Sequence, residues 1–150
     1  MRHKKAGYKL GREKGHREAL LRNLVTNVIE AERVVTTITK AKAAKPLVDR
    51  MITLAREDSL HARRQAAQFL RTPEAVQKLF DKLGTRFGQR NGGYTRVVRL
   101  GFRKGDGSET AMLELVGSEL VKRAAERAKR REERLKAMQQ GKEEEGEEEK

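Results

Sequence analysis

The chain has 150 residues, enough for one domain of ordinary size, and its 36% hydrophobic and 4% aromatic content supports a core of modest extent. Its 35 Lys and Arg against 22 Asp and Glu give a formal charge of +13, a balance suited to a polyanionic partner. The lack of cysteine excludes disulfides, thiolate nucleophiles and cysteine-based metal sites. His3, His16 and His61 have no ligand-like companions around them, so neither a metal site nor a cofactor is expected.

The charge is unevenly placed. Ten basic and ten acidic residues lie from Gly117 onward, which leaves 25 basic against 12 acidic before it. The part with a folding pattern is therefore the basic part. Arg22, Asn23, Thr26 and Asn27 interrupt the first hydrophobic stretch, so no signal peptide is expected. No apolar run approaches the roughly 20 residues needed to span a bilayer. The expectation is a soluble cytoplasmic protein with no membrane partner.

Residues 1–15 read as a basic arm. Arg2, Lys4, Lys5, Lys9 and Arg12, with Gly7, Gly11 and Gly15 between them, cannot make a core. They suit an arm that neutralises phosphates, with His3, Tyr8 and His16 as stacking or hydrogen-bonding groups. The alternative is a disordered basic tail. From His16 to about Ala31, Leu20, Leu21, Leu24, Val25, Val28 and Ile29 recur at helical spacing. Arg17, Arg22 and Asn23 flank that stripe and extend the arm's surface, or else form a solvated face.

Arg33 to Ile38 is a β-branched run of strand length. Thr39 is the candidate N-cap of a second helix whose apolar positions Ala44, Leu47, Val48, Met51, Ile52 and Ala55 continue to about Arg56. Pro46 predicts either a kink or a later start near Lys45. Lys40, Lys42 and Lys45 oppose the helix dipole, which a nearby phosphate would justify; a solvated lysine cluster is the alternative. Ser59 caps a third helix to about Leu70, and Thr72-Pro73-Glu74 opens a fourth with Val76, Leu79, Phe80 and Leu83 inward. Gly84 is its expected left-handed terminus.

The stretch from Gly84 to Arg103 joins a glycine-rich basic loop to the longest strand-like segment. Arg86, Arg90 and Arg96 supply charge, Gly92 and Gly93 after Asn91 let the backbone approach closely without Cβ atoms, and Tyr94 offers a stacking face, so all seven are candidate RNA contacts. Ordinary turn chemistry and a packed tyrosine are the bland alternative. In the strand that follows, Tyr94, Val98, Leu100 and Phe102 share one face with Arg96, and Thr95, Val97, Arg99, Gly101 and Arg103 share the other. One side packs; the other stays wet and positive. Lys104 to Ser108 forms a turn, and Glu109 to Val116 completes a hairpin. The fold class is α+β in two layers: helix, strand, three helices and a β-hairpin, with a small three-stranded sheet packed by helices. Domain 1–116 carries the arm, and 117–150 forms a helical extension followed by a disordered acidic tail.

Several of these stretches together resemble the family of the seventeenth protein of the bacterial large ribosomal subunit. The opening MRH, Gly7, Leu10, Arg12, His16-Arg17 and Arg22-Asn23 match its start. Thr39-Lys40-Ala41-Lys42, Asp49, and Met51 to Arg56 match its signature block. Lys78-Leu79-Phe80, Arg86-Phe87, Gly92 to Arg96 and Glu114-Leu115-Val116 follow in the same order. The resemblance covers about residues 1–116. It implies a ribosomal protein that binds 23S rRNA towards the exit end of the peptide tunnel, beside other large-subunit proteins, with no catalysis and no small-molecule substrate. The family departs from this chain at Pro46, and the tail lies outside the shared region.

Two other classes are weaker. The helices at 59–70 and 72–83 imitate a DNA-binding helix-turn-helix, but their junction Arg71-Thr72 lacks the usual glycine, and the basic residues gather on the arm and loop. An enzyme would need a motif such as GxxxxGK[ST], which is absent. Asp49, Glu57, Asp58 and Asp81 read as solvated helix charges.

Overall fold

The computed structural model describes residues 7–117 together with Arg130 and Arg131, so the expectations for residues 1–6 and for nearly all of the chain after Gly117 lie outside the described residues. The chain divides into units 1–116 and 117–150, and the elements below belong to the first.

Helix α1 spans Lys14–Ala31, with Val25, Val28 and Ile29 fully buried. It closes on Glu32, a left-handed residue (φ 62°) whose N–H donates to the Val28 carbonyl at 2.9 Å. Strand β1 follows at once, Arg33–Thr37. The chain turns helical one residue earlier than the β-branched run suggests. Ile38 opens α2 (Ile38–Glu57) because in the first turn its side chain packs on the core, and Thr37, not Thr39, holds the extended backbone before the helix.

Pro46 does not delay the helix start to Lys45, since α2 begins at Ile38 and runs unbroken through it. Pro46 and Lys42, whose carbonyl loses its partner, are both exposed, so water can satisfy that carbonyl. Around it Ala41, Ala44, Val48, Met51, Ile52 and Ala55 form a buried stripe. Burying Val48, Met51 and Ile52 alone stabilises by about 1.5–3 kcal/mol each, more in sum than the ~3 kcal/mol that an interior proline costs.

Helix α3 spans Leu60–Phe69, and Ser59 caps it as expected, its Oγ accepting from the Ala62 N–H at 3.1 Å. Helix α4 spans Pro73–Lys78 with Pro at its first position and Glu74 in its first turn. Thr72 makes no side-chain cap; its hydroxyl donates to Glu30 on α1 instead. After Lys78 the helix widens to π geometry over Leu79–Gly84, burying Leu79, Phe80 and Leu83. Gly84 is therefore not a left-handed terminus. It sits against α2, where a Cβ would meet the Ala55 carbonyl oxygen at 2.7 Å.

Strands β2 (Thr95–Phe102) and β3 (Glu109–Leu115) complete an antiparallel sheet of order β1-β3-β2, with the helices packed on one face. Register places Val34, Leu113 and Val97 in one inward row, and Val35, Met112 and Val98 in an outward one. The packed face of β2 is thus the one with Thr95 and Val97, while Leu100 and Phe102 are 51% and 78% exposed. The reason lies on α2: the Asp49 carboxylate accepts from the Thr95 hydroxyl at 3.0 Å, which lets a polar residue take the buried position. A bulge between Arg99 and Gly101 then shifts the strand's far end.

Candidate nucleic-acid interface

The described part of the arm is folded onto the start of α1. Leu10 and Gly11 both have positive φ (57° and 60°), making a turn closed by the Arg12 N–H on the Lys9 carbonyl at 3.2 Å. Arg12 then donates to the Leu10 carbonyl at 3.0 Å, and Arg17 reaches back to the Arg12 carbonyl at 3.3 Å. Arm and helix start so form one cationic surface, with Tyr8, Lys9, His16 and Asn23 exposed beside Arg12 and Arg17. Arg2, His3, Lys4 and Lys5 lie outside the described residues. Arg22, one to two turns further on, lies with its guanidinium 5.6 Å from the Phe69 ring centroid. Lys40 and Lys42 occupy the first turns of α2, the former half-buried and the latter exposed.

The glycine-rich loop is held by a residue that pattern reading passes over as the end of a helix. Arg56 donates to the Tyr94 hydroxyl at 3.0 Å, and to the Gly88 carbonyl and Asn91 Oδ1 at 3.1 Å each. One guanidinium thereby fixes both ends of the loop. Tyr94 is 2% exposed and packs edge-on against Phe87, with ring centroids 5.3 Å apart. Its expected stacking face is therefore covered, because the ring serves as the loop's anchor in the core. What the loop presents is Arg90, exposed, with Nε donating to the Gly92 carbonyl at 3.1 Å, and the backbone of Gly92 and Gly93 at φ 123° and 60°. These conformations suit glycine, and a substituted residue would strain them. Arg96 stands on the outer sheet face with its side chain 60% exposed, in a long ion pair with Glu114 at 3.9 Å.

Arg86 differs from the other loop arginines. Its Nη1 pairs with the Glu32 carboxylate at 2.8 Å, and Lys78 reaches the other oxygen at 3.3 Å and the Glu30 carbonyl at 2.7 Å. These cations offset an acid placed at the negative end of the α1 dipole. Burial pushes the Glu32 carboxyl up, but the hydrogen bonds and charges of Arg86 and then Lys78 outweigh it and hold the group below its ordinary range. Arg86 thus ties the end of α1 to the helical turn that follows Gly84, with its guanidinium 5.0 Å from the Phe87 ring centroid.

The expected site residues consequently fall in two groups. The arm joins α1 at Lys14, and Arg86 meets its far end at Glu32, separated by a helix about 27 Å long. No hydrogen bond or ion pair among the described residues links the arm to the loop. A signal for Arg56 existed in the sequence, as the only arginine in the block Met51 to Arg56, but its partners lie 32 to 38 residues away and only the fold brings them in.

Among the described residues no helix is long and apolar enough to cross a membrane, and no cluster of His, Asp and Glu could hold a metal. Residues 20–116 match the family described as Ribosomal protein L17. The chain is 74% identical over 147 residues to a large ribosomal subunit protein bL17 of Solibacter usitatus, covering 98% of each chain. It is 56% identical to the protein of the same name from Koribacter versatilis, over 93% of this chain and 90% of that one. With the Chloroflexus aurantiacus protein it shares 51% identity over 77% of its length and the whole of the relative's.

Proposed function

Because the chain belongs to the ribosomal protein L17 family, a family of structural proteins of the large ribosomal subunit and not of enzymes, we propose that it binds 23S rRNA near the exit end of the peptide tunnel and braces two rRNA segments. The observation that carries this reading is the division of the cationic residues between the two ends of α1. The arm with Arg12 and Arg17 takes one segment, and the loop with Arg90, Gly92, Gly93 and Arg96 takes another. Lys40 and Lys42 add charge from α2. Recognition is of phosphate spacing and backbone shape more than of base sequence, since basic side chains and glycine backbone make up both groups. A rigid helix between the two groups fixes their separation. Neighbouring large-subunit proteins complete the surroundings.

The test is filter binding of the full chain to 23S rRNA over a salt series, beside duplex DNA of equal phosphate content. With roughly six to ten phosphates neutralised, affinity for rRNA falls by several orders of magnitude over a fourfold rise in salt, and rRNA is retained more tightly than DNA at each salt. Equal affinity for both would overturn the reading.

A further inference from the structure

A cavity of about 360 Å³ opens between α1, α2 and α3. Its volume lies in the range of small-ligand sites, roughly 300–1,000 Å³. Leu47, Met51 and Leu54 of α2 make an apolar floor, and Phe69 of α3 makes a wall with the Arg22 guanidinium over its ring, 5.6 Å from the centroid. Among the described residues the polar lining consists of two arginines and two glutamine amides, with no carboxylate.

Much of its hydrogen-bonding capacity is unspent. Among the described residues the Arg22 guanidinium donates one hydrogen bond, to the Gln68 carbonyl at 3.5 Å, at the outer limit for such a bond. Arg50, exposed at the rim, makes no ion pair or hydrogen bond among the described residues. Gln65 directs Nε2 at His61 Nε2, 2.7 Å away, and its Oε1 accepts from no described residue. The Gln68 side chain likewise has no partner among the described residues.

We infer that this cavity takes one unstacked nucleotide of the bound RNA, with its base against Phe69 and the aliphatic floor and its phosphate on Arg22 and Arg50. The inference rests on the RNA-binding reading above and adds a base-binding site to a surface otherwise suited to phosphates. Each element of the cavity matches one part of a nucleotide. An aromatic wall and a guanidinium plane accept a base face. Glutamine amides both donate and accept, as a base edge requires. Two arginines, with no competing carboxylate among the described residues, suit a phosphate.

The full chain, labelled with ¹⁵N, is titrated with AMP, with adenosine and with inorganic phosphate, following amide and side-chain amide NMR signals. AMP shifts the Gln65 and Gln68 side-chain signals and the Leu54 and Phe69 amides as one saturating set, and adenosine and phosphate each bind there several-fold more weakly. Phe69→Ala weakens AMP roughly tenfold through loss of stacking. Arg50→Gln, at an exposed position that leaves the fold intact, lowers AMP affinity but not that of adenosine. Shifts that spread over the exposed arginines, equal for AMP and phosphate, would overturn the site. Retention of 23S rRNA by the same samples separates the two readings: rRNA binding without the AMP set removes this site alone, whereas loss of rRNA binding removes the function proposed above.

Discussion

Arg56→Met tests how the loop is held. The change keeps much of the side chain's length and deletes the three bonds to Tyr94, Gly88 and Asn91. The last two partners are exposed residues and contribute little. The Tyr94 hydroxyl belongs to a residue only 2% exposed, and losing its partner costs about 1–3 kcal/mol. A loss of about 2 kcal/mol overall follows. With a urea slope of about 1–3 kcal/mol/M, the unfolding midpoint falls by roughly 1 M at unchanged slope. Tyr94→Phe removes the hydroxyl and leaves Arg56 its other two bonds, so it costs about 1 kcal/mol, and the double variant is less destabilised than the sum of the two. Hydrogen exchange of residues 88–93 accelerates in Arg56→Met ahead of the helical core. A midpoint loss equivalent to less than about 0.5 kcal/mol, as for an ordinary surface change, would refute the assignment.

Three further outcomes follow from the same contacts. Gly84→Ala drives a Cβ into the backbone carbonyl of Ala55, 2.7 Å away, and should lower Tm by roughly 5–15 °C in calorimetry; an unchanged Tm would contradict the close approach. Glu32 has its folded-state pKa held below the ordinary 4.5, so its ion pairs stabilise above that pH and the contribution is lost as pH falls below it. Urea midpoints of the unaltered chain should therefore drop more steeply below pH 4.5 than those of Glu32→Gln, and parallel curves would contradict the pairing. Replacing both Arg90 and Arg96 by Ala should reduce the salt dependence of 23S rRNA binding by about one to two phosphate equivalents with the helical circular dichroism unchanged; an unaltered slope would remove both residues from the contact.

Local signals in the chain were readable where the physics is local. The stripe Val25, Val28, Ile29 needs only helical period, and Ser59 and Pro73 mark helix starts by chemistry that acts within one turn. The three strands and the hairpin follow from β-branched runs and a Gly-Asp-Gly turn. The packed side of β2 did not follow, because Leu100 and Phe102 are the more apolar residues and only Asp49, 46 positions from Thr95, makes the opposite face buriable. Tyr94 reads as a recognition residue beside Gly92 and Gly93, yet at the strand entry its ring joins Phe87 in the core. Arg86 looked like a surface cation for the same reason. Its partner Glu32 lies 54 residues away, at a helix end where an acid is out of place until two cations arrive. Basic patches are thus legible as composition, while the division between cations that hold the fold and cations that face outward is a tertiary fact.

The most direct test of the central claim is sedimentation of the tagged full chain with ribosomal subunits from its own cells, before and after a high-salt wash. The account predicts stoichiometric retention in the large-subunit peak after the wash, with the Arg90, Arg96 double alanine variant reduced there. Recovery of the unaltered chain as free protein or with the small subunit would contradict it.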